Sequence, residues 1–113
     1  MRKRYTIVAT CFDKRGRVLS TGRNSYRKTH PLMAHFAKIA GESEEKICLH
    51  AEVSALIQSR DKKVHSLLVQ RIEGQSYGLA KPCKTCSEAI KAFGVKFVQY
   101  TTDKGVEEYE VSQ

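Results

Sequence analysis

Two short stretches of the chain place His and Cys at the start of helix-like patterns. His50 stands within an apolar repeat that predicts a helix over 48–60, and Cys83 and Cys86 begin a second helix over 83–93. Imidazole and thiolate are ligands that Zn²⁺ prefers, and two Cys three residues apart lie on one face of a helix. Helix N-termini also stabilise thiolates. The pattern therefore predicts Zn²⁺ held by three protein ligands, with a fourth position open to water, as in catalytic sites.

Glu52 lies two residues after His50, so it cannot share the His50 helix face but can lie beside the open metal position. A carboxylate there suits proton transfer to and from a water molecule. Two other interpretations stay open. In one, Glu52 is a first-turn carboxylate that interacts with the helix dipole. In the other, the zinc is purely structural and Cys48 is its fourth ligand, although a Cys two residues before His50 on one helix points elsewhere.

The two stretches together carry a family signature. His50-Ala51-Glu52 followed by Pro82-Cys83-Lys84-Thr85-Cys86 has the H-x-E and P-C-x-x-C spacing of zinc nucleobase deaminases. On these motifs the chain resembles the cytidine/deoxycytidylate deaminase superfamily. The resemblance implies that His50, Cys83 and Cys86 hold the zinc. It also implies that Glu52 carries protons between water and the base.

The remaining pattern predicts an α/β domain that spans 1–113 as a single unit. Predicted strands cover 5–12, 18–21, 64–72, 95–101 and 106–111, and predicted helices cover 32–40, 48–60 and 83–93. The strand–helix–strand unit from 64 to 101 must be parallel. Because Asp103-Lys-Gly105 is too short for a crossover, the last strand should be antiparallel to its neighbour. We therefore expect a mixed five-stranded sheet with helices on both faces, the three-layer α/β/α fold that the resemblance also implies. The polar run 43–46 is either a helix cap or a loop.

Substrate contacts are predicted around the end of the second strand. In the family an Asn at this point contacts the sugar, and the Ala between His and Glu contacts the base through its main chain; Asn24 and Ala51 match these positions. The neighbouring basic residues Arg23, Lys28 and His30 are candidate phosphate ligands. A turn residue at Asn24 and a solvated basic loop are the alternatives. Lys81 departs from the family pattern, in which a carboxylate or small residue commonly precedes the Pro.

Charge and hydropathy limit the partners and the compartment. The formal net charge is +8, which attracts phosphate on a nucleotide or a polynucleotide, although a merely solvated basic surface is an alternative. No apolar run is long enough for a signal peptide or a membrane span, so we expect a cytoplasmic protein without a membrane partner. The resemblance further implies a homo-oligomer.

These observations favour a zinc-dependent deaminase that converts cytosine to uracil on a deoxycytidine nucleotide such as dCMP, an enzyme of nucleotide metabolism. The first alternative is a deaminase acting on single-stranded DNA or RNA, on cytosine or, as in tRNA editing, on adenine. Deamination of another base, such as guanine, is a further alternative. A non-catalytic zinc-stabilised binding module is the alternative from a different class of protein.

Overall fold

The computed structural model describes residues 5–42 and 48–112. The strands are β1 Thr6–Phe12, β2 Val18–Arg23, β3 Ser66–Glu73, β4 Ser76–Gly78, β5 Phe97–Thr102 and β6 Gly105–Glu110. The helices are α1 Pro31–Ala40, α2 Ala51–Gln58 and α3 Lys84–Ala92. The polar run 43–46, predicted as a cap or a loop, lies outside the described residues.

The strands form one mixed sheet in the order β2-β1-β3-β5-β6, with β4 paired to β3. β1 is antiparallel to both β2 and β3. β3 and β5 are parallel and are connected through α3, while β6 returns antiparallel to β5. The α/β class, the parallel strand–helix–strand unit and the antiparallel last strand are therefore confirmed.

The sheet has six strands rather than the five expected, because the segment between the predicted strand 64–72 and the predicted helix 83–93 contains a short strand. Ser76–Gly78 folds back on the end of β3 and pairs with Arg71, Ile72 and Glu73. Gly74, with φ 64°, provides the left-handed turn residue between them. β5 pairs with β3 only as far as Val69, which leaves this edge of β3 open to β4. A three-residue strand is too short to show an alternating pattern in the sequence.

The helices gather on one face of the sheet, which corrects the expectation of helices on both faces. Alternate strand residues are buried in a single apolar cluster, which includes Ala9, Cys11, Leu67, Val69 and Val98. The same cluster holds buried residues of all three helices, among them Met33, Phe36, Val53, Leu56, Ala89 and Ile90. Strand residues that point the other way, such as Val8, Leu68 and Phe97, are only partly buried.

α1 explains this difference from the three-layer expectation. It packs beside α3 instead of crossing to the second face of the sheet, and the rings of Phe36 and Phe93 lie 6.5 Å apart between the two helices. After β5 the chain turns directly into β6, so no further helix follows among the described residues. None of the described helices is long and apolar enough to cross a membrane.

A glycine in β2 allows α2 to lie directly on the sheet. A Cβ atom at Gly22 would stand 2.5 Å from the backbone N of Ala55 and 2.6 Å from the carbonyl O of Ala51, closer than real side chains approach. The Ser20 hydroxyl, on the same strand, donates to the carbonyl of Ala55 at 2.7 Å. These contacts hold α2, and with it the residues at its N-terminus, against β1 and β2.

Candidate active site

The predicted zinc ligands lie where two helices begin. His50 and Cys83 are the N-cap residues of α2 and α3, and both have extended backbone angles. The helices therefore start one residue after these ligands, not at residue 48 or at Cys83 as predicted. The Cys83 sulfur accepts a hydrogen bond from the backbone N–H of Cys86 at 3.5 Å. This cap is the local reason why Cys83 turns toward the helix it precedes.

The three side chains converge in a geometry that suits a tetrahedral metal ion. The ligand atoms of His50, Cys83 and Cys86 all lie within 4.8 Å of one another. His50 Nδ1 is 3.2 Å from the Cys86 sulfur and 3.6 Å from the Cys83 sulfur. Ordinary Zn–N and Zn–S bond lengths at a tetrahedral angle place these atoms about 3.6 Å apart. In the described part of the chain Cys48 is not in this group but lies in the wall of the adjacent cavity.

The three groups differ in how readily they give up the proton that a metal ion must displace. Hydrogen bonds from Cys86 and His50 lower the pKa of Cys83 to about 4. The Cys83 sulfur in turn raises the pKa of His50, while its hydrogen bond with Cys86, together with burial, raises the pKa of the Cys86 thiol. Zinc requires deprotonated ligands. Metal binding must therefore displace protons chiefly from His50 and Cys86, since Cys83 is already a thiolate at neutral pH.

Glu42 supports the metal end of α3 and is a residue that the sequence analysis missed. It follows the left-handed Gly41 that ends α1. Its Oε1 accepts from the Thr85 hydroxyl at 2.7 Å and from the Thr85 backbone N–H at 3.2 Å. A carboxylate at this place satisfies helix N–H groups and complements the helix dipole. Glu42 thus fixes the turn that carries Cys83 and Cys86.

Glu52 lies in the first turn of α2 beside the three ligands. Its side chain is only 6% exposed. Burial raises the pKa of its carboxyl, against the opposing effects of a backbone hydrogen bond and the nearby His50. An acid shifted toward neutrality and placed beside a metal site can both accept and donate protons. A first-turn carboxylate that only complements the helix dipole would not need such burial.

A cavity of about 340 Å³ opens onto these residues. Its lining residues include Asn24 and Ala51, the candidate contacts to the sugar and the base, as well as Glu52. Its cationic side chains are Arg71, near the end of β3, and Lys81, just before Pro82. Tyr26 and Leu79, 47% and 59% exposed, also belong to its wall. The cavity is large enough for a small organic ligand.

The amide of Asn24 is largely used by the protein itself. Its Oδ1 accepts from the backbone N–H of Ile7 at 2.9 Å, and its Nδ2 donates to the carbonyl of Tyr5 at 3.1 Å. Asn24 therefore fixes the start of β1 to the end of β2 at the cavity wall. One Nδ2 hydrogen and one lone pair of Oδ1 remain for a ligand, so sugar contact by Asn24 stays a prediction.

The three candidate phosphate ligands, Arg23, Lys28 and His30, do not line the cavity. Arg23 and Lys28 are exposed, and the Lys28 carbonyl accepts from the backbone N–H of Leu49 at 2.8 Å. His30 is the N-cap of α1, where its Nδ1 accepts from the Leu32 N–H at 3.1 Å. His30 is thus occupied as a helix cap, and the loop that carries it leads into α1.

Arg71 is a charged residue of the cavity wall that the sequence analysis did not single out. Its guanidinium carbon lies 3.8 Å from the centroid of the Tyr5 ring, and its Nε is 3.1 Å from a carboxylate oxygen of Glu73. A signal for it exists in the sequence: Arg71 follows Leu67 and Val69 at the two-residue period of one strand face. A charged residue that continues a buried strand face is an informative exception, because charged side chains are seldom buried without a partner.

The sequence profile described as the cytidine and deoxycytidylate deaminase zinc-binding region matches residues 2–102. The chain belongs to the cytidine and deoxycytidylate deaminase family. It is thus a zinc-binding deaminase domain, and the family's hydrolytic deamination is its general activity. No individual curated protein matches the chain. The match includes both motifs and ends with β5, so the hairpin strand β6 lies beyond it.

Proposed function

We propose that this deaminase converts cytosine to uracil on a deoxycytidine nucleotide such as dCMP. The observation that carries the proposal is the buried carboxyl of Glu52, which stands beside His50, Cys83 and Cys86 at the base of an open cavity. A purely structural zinc site would have no use for a buried acid and a cavity at its open side.

Each residue of the site has a separate role in the proposed hydrolysis. Zinc bound by His50, Cys83 and Cys86 would supply an activated water near neutral pH. Glu52 takes a proton from the attacking water and delivers it to the ring nitrogen next to C4, and then helps to protonate the leaving amine. The water oxygen is thereby added at C4, the bond from C4 to the exocyclic amine nitrogen breaks, and the amine leaves as ammonia with the proton of the added hydroxyl group. Ala51 and Asn24 are proposed to hold the base and the sugar.

The preference for a phosphate-bearing substrate rests on the two cations of the cavity. Arg71 presents a guanidinium whose face is supported by Tyr5, and Lys81 stands in the same wall. A guanidinium binds a phosphate through two parallel hydrogen bonds, and stacking on an aromatic ring holds it in place for that contact. We therefore assign the phosphate to Arg71 and Lys81 in place of the predicted Arg23, Lys28 and His30.

Ammonia release by the zinc-loaded protein tests the substrate. The panel is dCMP, CMP, deoxycytidine, cytidine, adenosine and guanine, with single-stranded DNA and RNA beside them. We expect turnover of dCMP, and weaker turnover of deoxycytidine because the latter lacks the phosphate. Turnover of adenosine or guanine without turnover of any cytosine compound would reject the proposed base.

A strand-directed deaminase is the second candidate, and the exposed side chains of Tyr26 and Leu79 at the cavity favour it. An exposed aromatic beside a catalytic cavity suits stacking on a neighbouring base, and the net charge of +8 suits a phosphate backbone. The salt dependence of KM separates the two candidates. A strand releases many counterions and loses affinity steeply with salt, whereas a mononucleotide depends on salt only weakly.

A further inference from the structure

A second cavity, of about 290 Å³, lies at the opposite end of the sheet. The turn 13–17 between β1 and β2 forms one side, and the segments leading into β3 and β5 form the rest. The deaminase cavity instead borders Val69 and Arg71, near the other end of β3. From His65 to Arg71 the strand rises by about 20 Å, so the two cavities are separate.

Hydrogen bonds hold the three segments of this second cavity together. The backbone N–H of His65 donates to the carbonyl of Phe12 at 2.8 Å, and the N–H of Lys96 donates to the carbonyl of His65 at 2.9 Å. Within the turn, the backbone N–H of Asp13 donates to the carbonyl of Arg17 at 2.9 Å. The side chains around the cavity therefore stand on a frame that is already ordered.

The cavity wall is strongly basic. It contains five Lys and Arg side chains, namely Lys14, Arg15, Arg17, Lys63 and Lys96, together with His65. Asp13 is the one acidic residue of the wall. Its Oδ2 accepts from Arg17 Nε at 2.9 Å, and its Oδ1 accepts from the backbone N–H groups of Arg15 and Arg17. These bonds shape the turn and pair the Arg17 guanidinium with a carboxylate.

Four cations remain without an acidic partner among the described residues: Lys14, Arg15, Lys63 and Lys96. Like charges around one concavity repel each other and attract counter-ions, and the attraction is strongest for a ligand that carries several negative charges. Consecutive phosphate groups supply about one to two negative charges each. A single monophosphate would leave part of this charge uncompensated.

We propose that this second cavity binds a run of consecutive phosphate groups. Such a run occurs in a nucleoside triphosphate and in the backbone of a single-stranded nucleic acid. The proposal does not depend on the deaminase reaction, because its residues and its test are independent of the zinc ligands.

The test compares two variants with the same net charge. Lys63→Ser with Lys96→Ser removes two cations from the cavity, and Lys38→Ser with Lys104→Ser removes two exposed cations elsewhere. Binding of inorganic tripolyphosphate is measured by calorimetry, and binding of a fluorescent ten-nucleotide oligothymidylate by anisotropy, at two salt concentrations. Thermal melting checks that both variants remain folded.

We expect the cavity variant to bind at least one of the two probes roughly tenfold more weakly than the wild type, as loss of a charged hydrogen bond implies. The control variant should change little. Tighter binding of tripolyphosphate identifies the nucleotide source, and tighter binding of the oligothymidylate with a steep salt slope identifies the strand. Equal weakening in both variants, or no binding by the wild type, would overturn the proposal.

Discussion

Glu52 and Arg71, an acidic and a basic side chain, border the same cavity, and they serve different parts of the proposed reaction. Glu52 is buried beside the metal ligands, where loss of hydration makes its carboxyl easier to protonate. The Arg71 guanidinium is held from two sides, by the Tyr5 ring and by Glu73. Glu52 can therefore act on the base, and Arg71 on the charged remainder of the substrate.

Replacing Glu52 with Gln should abolish turnover while zinc remains bound. The substitution keeps the shape of the side chain but removes the group that transfers protons, which contributes about 10²- to 10⁴-fold to a rate. Ammonia release and zinc content by mass spectrometry are measured on the same preparation. A Glu52→Gln protein as active as the wild type would reject the assigned role. Inactivity of both forms on every compound of the panel would favour a zinc-stabilised binding module.

Replacing Arg71 with Ala should raise KM for dCMP roughly tenfold, because a charged hydrogen bond to phosphate is lost. KM for deoxycytidine should hardly change, since that substrate has no phosphate. Arg23→Ala is the matched control, because Arg23 is exposed and does not line the cavity. An equal loss on dCMP and deoxycytidine would show that Arg71 supports the cavity itself and does not bind the phosphate.

At the level of secondary structure, the site depends on how closely α2 approaches β2. Gly22 permits the contact, and the Ser20 hydroxyl bonds both to the carbonyl of Ala55 and to the hydroxyl of Ser59. The other side of the site is fixed from the end of α1, because Glu42, two residues after this helix, accepts two hydrogen bonds from Thr85 in the first turn of α3. The two helices that carry the ligands are thus positioned by contacts outside the metal site.

Replacing Gly22 with Ala should therefore destabilise the fold. The added methyl group meets the backbone of α2, and overpacking of this kind costs about 1–3 kcal/mol of unfolding free energy. Thermal or urea unfolding of the zinc-loaded protein measures the change. Thr21→Ala, at the adjacent exposed position of β2, provides the control. Equal stability of the two variants would contradict the close contact between α2 and β2.

For the molecule as a whole, the candidate metal ligands come from the starts of two helices that are far apart in the chain. His50 belongs to the start of α2, and Cys83 and Cys86 to the start of α3, with β3 and β4 between them in sequence. A metal ion at this place joins the two helix ends, so its binding free energy adds to the stability of the fold. The predicted homo-oligomer and the cytoplasmic location stay predictions.

Removal of zinc by a strong chelator should therefore lower Tm as well as stop deamination. At a free zinc concentration of about 1,000 times Kd, the expected contribution to stability is about 4 kcal/mol. Calorimetry before chelation, after chelation and after zinc is restored measures the change. A Cys86→Ser protein is the control, since its Tm should respond much less to the chelator. An unchanged Tm in the wild type would contradict metal-linked stability.

Local spacing explains which parts of the site were predictable. The positions of Cys83 and Cys86 relative to each other, and of Glu52 relative to His50, follow from helix geometry within a few residues. The strand–helix–strand unit and the final hairpin follow from connection lengths. The start of α2 was predicted too early, at residue 48, although the helix begins at Ala51. The reason is that the apolar pattern of the sequence continues through the extended segment before the helix.

The sequence by itself determined the α/β class and the order of all elements except the short β4, and it predicted the candidate ligand set and the acid beside it. Only the tertiary structure decided which cations reach the cavity: Arg71 and Lys81 line it, and Arg23, Lys28 and His30 do not. It also decided that the helices share one face of the sheet. The physical reason is that periodicity fixes which face of its own element a residue occupies. Which residue of a distant element comes to lie opposite that face depends on strand register and helix packing. Residues far apart in the chain determine both of these together.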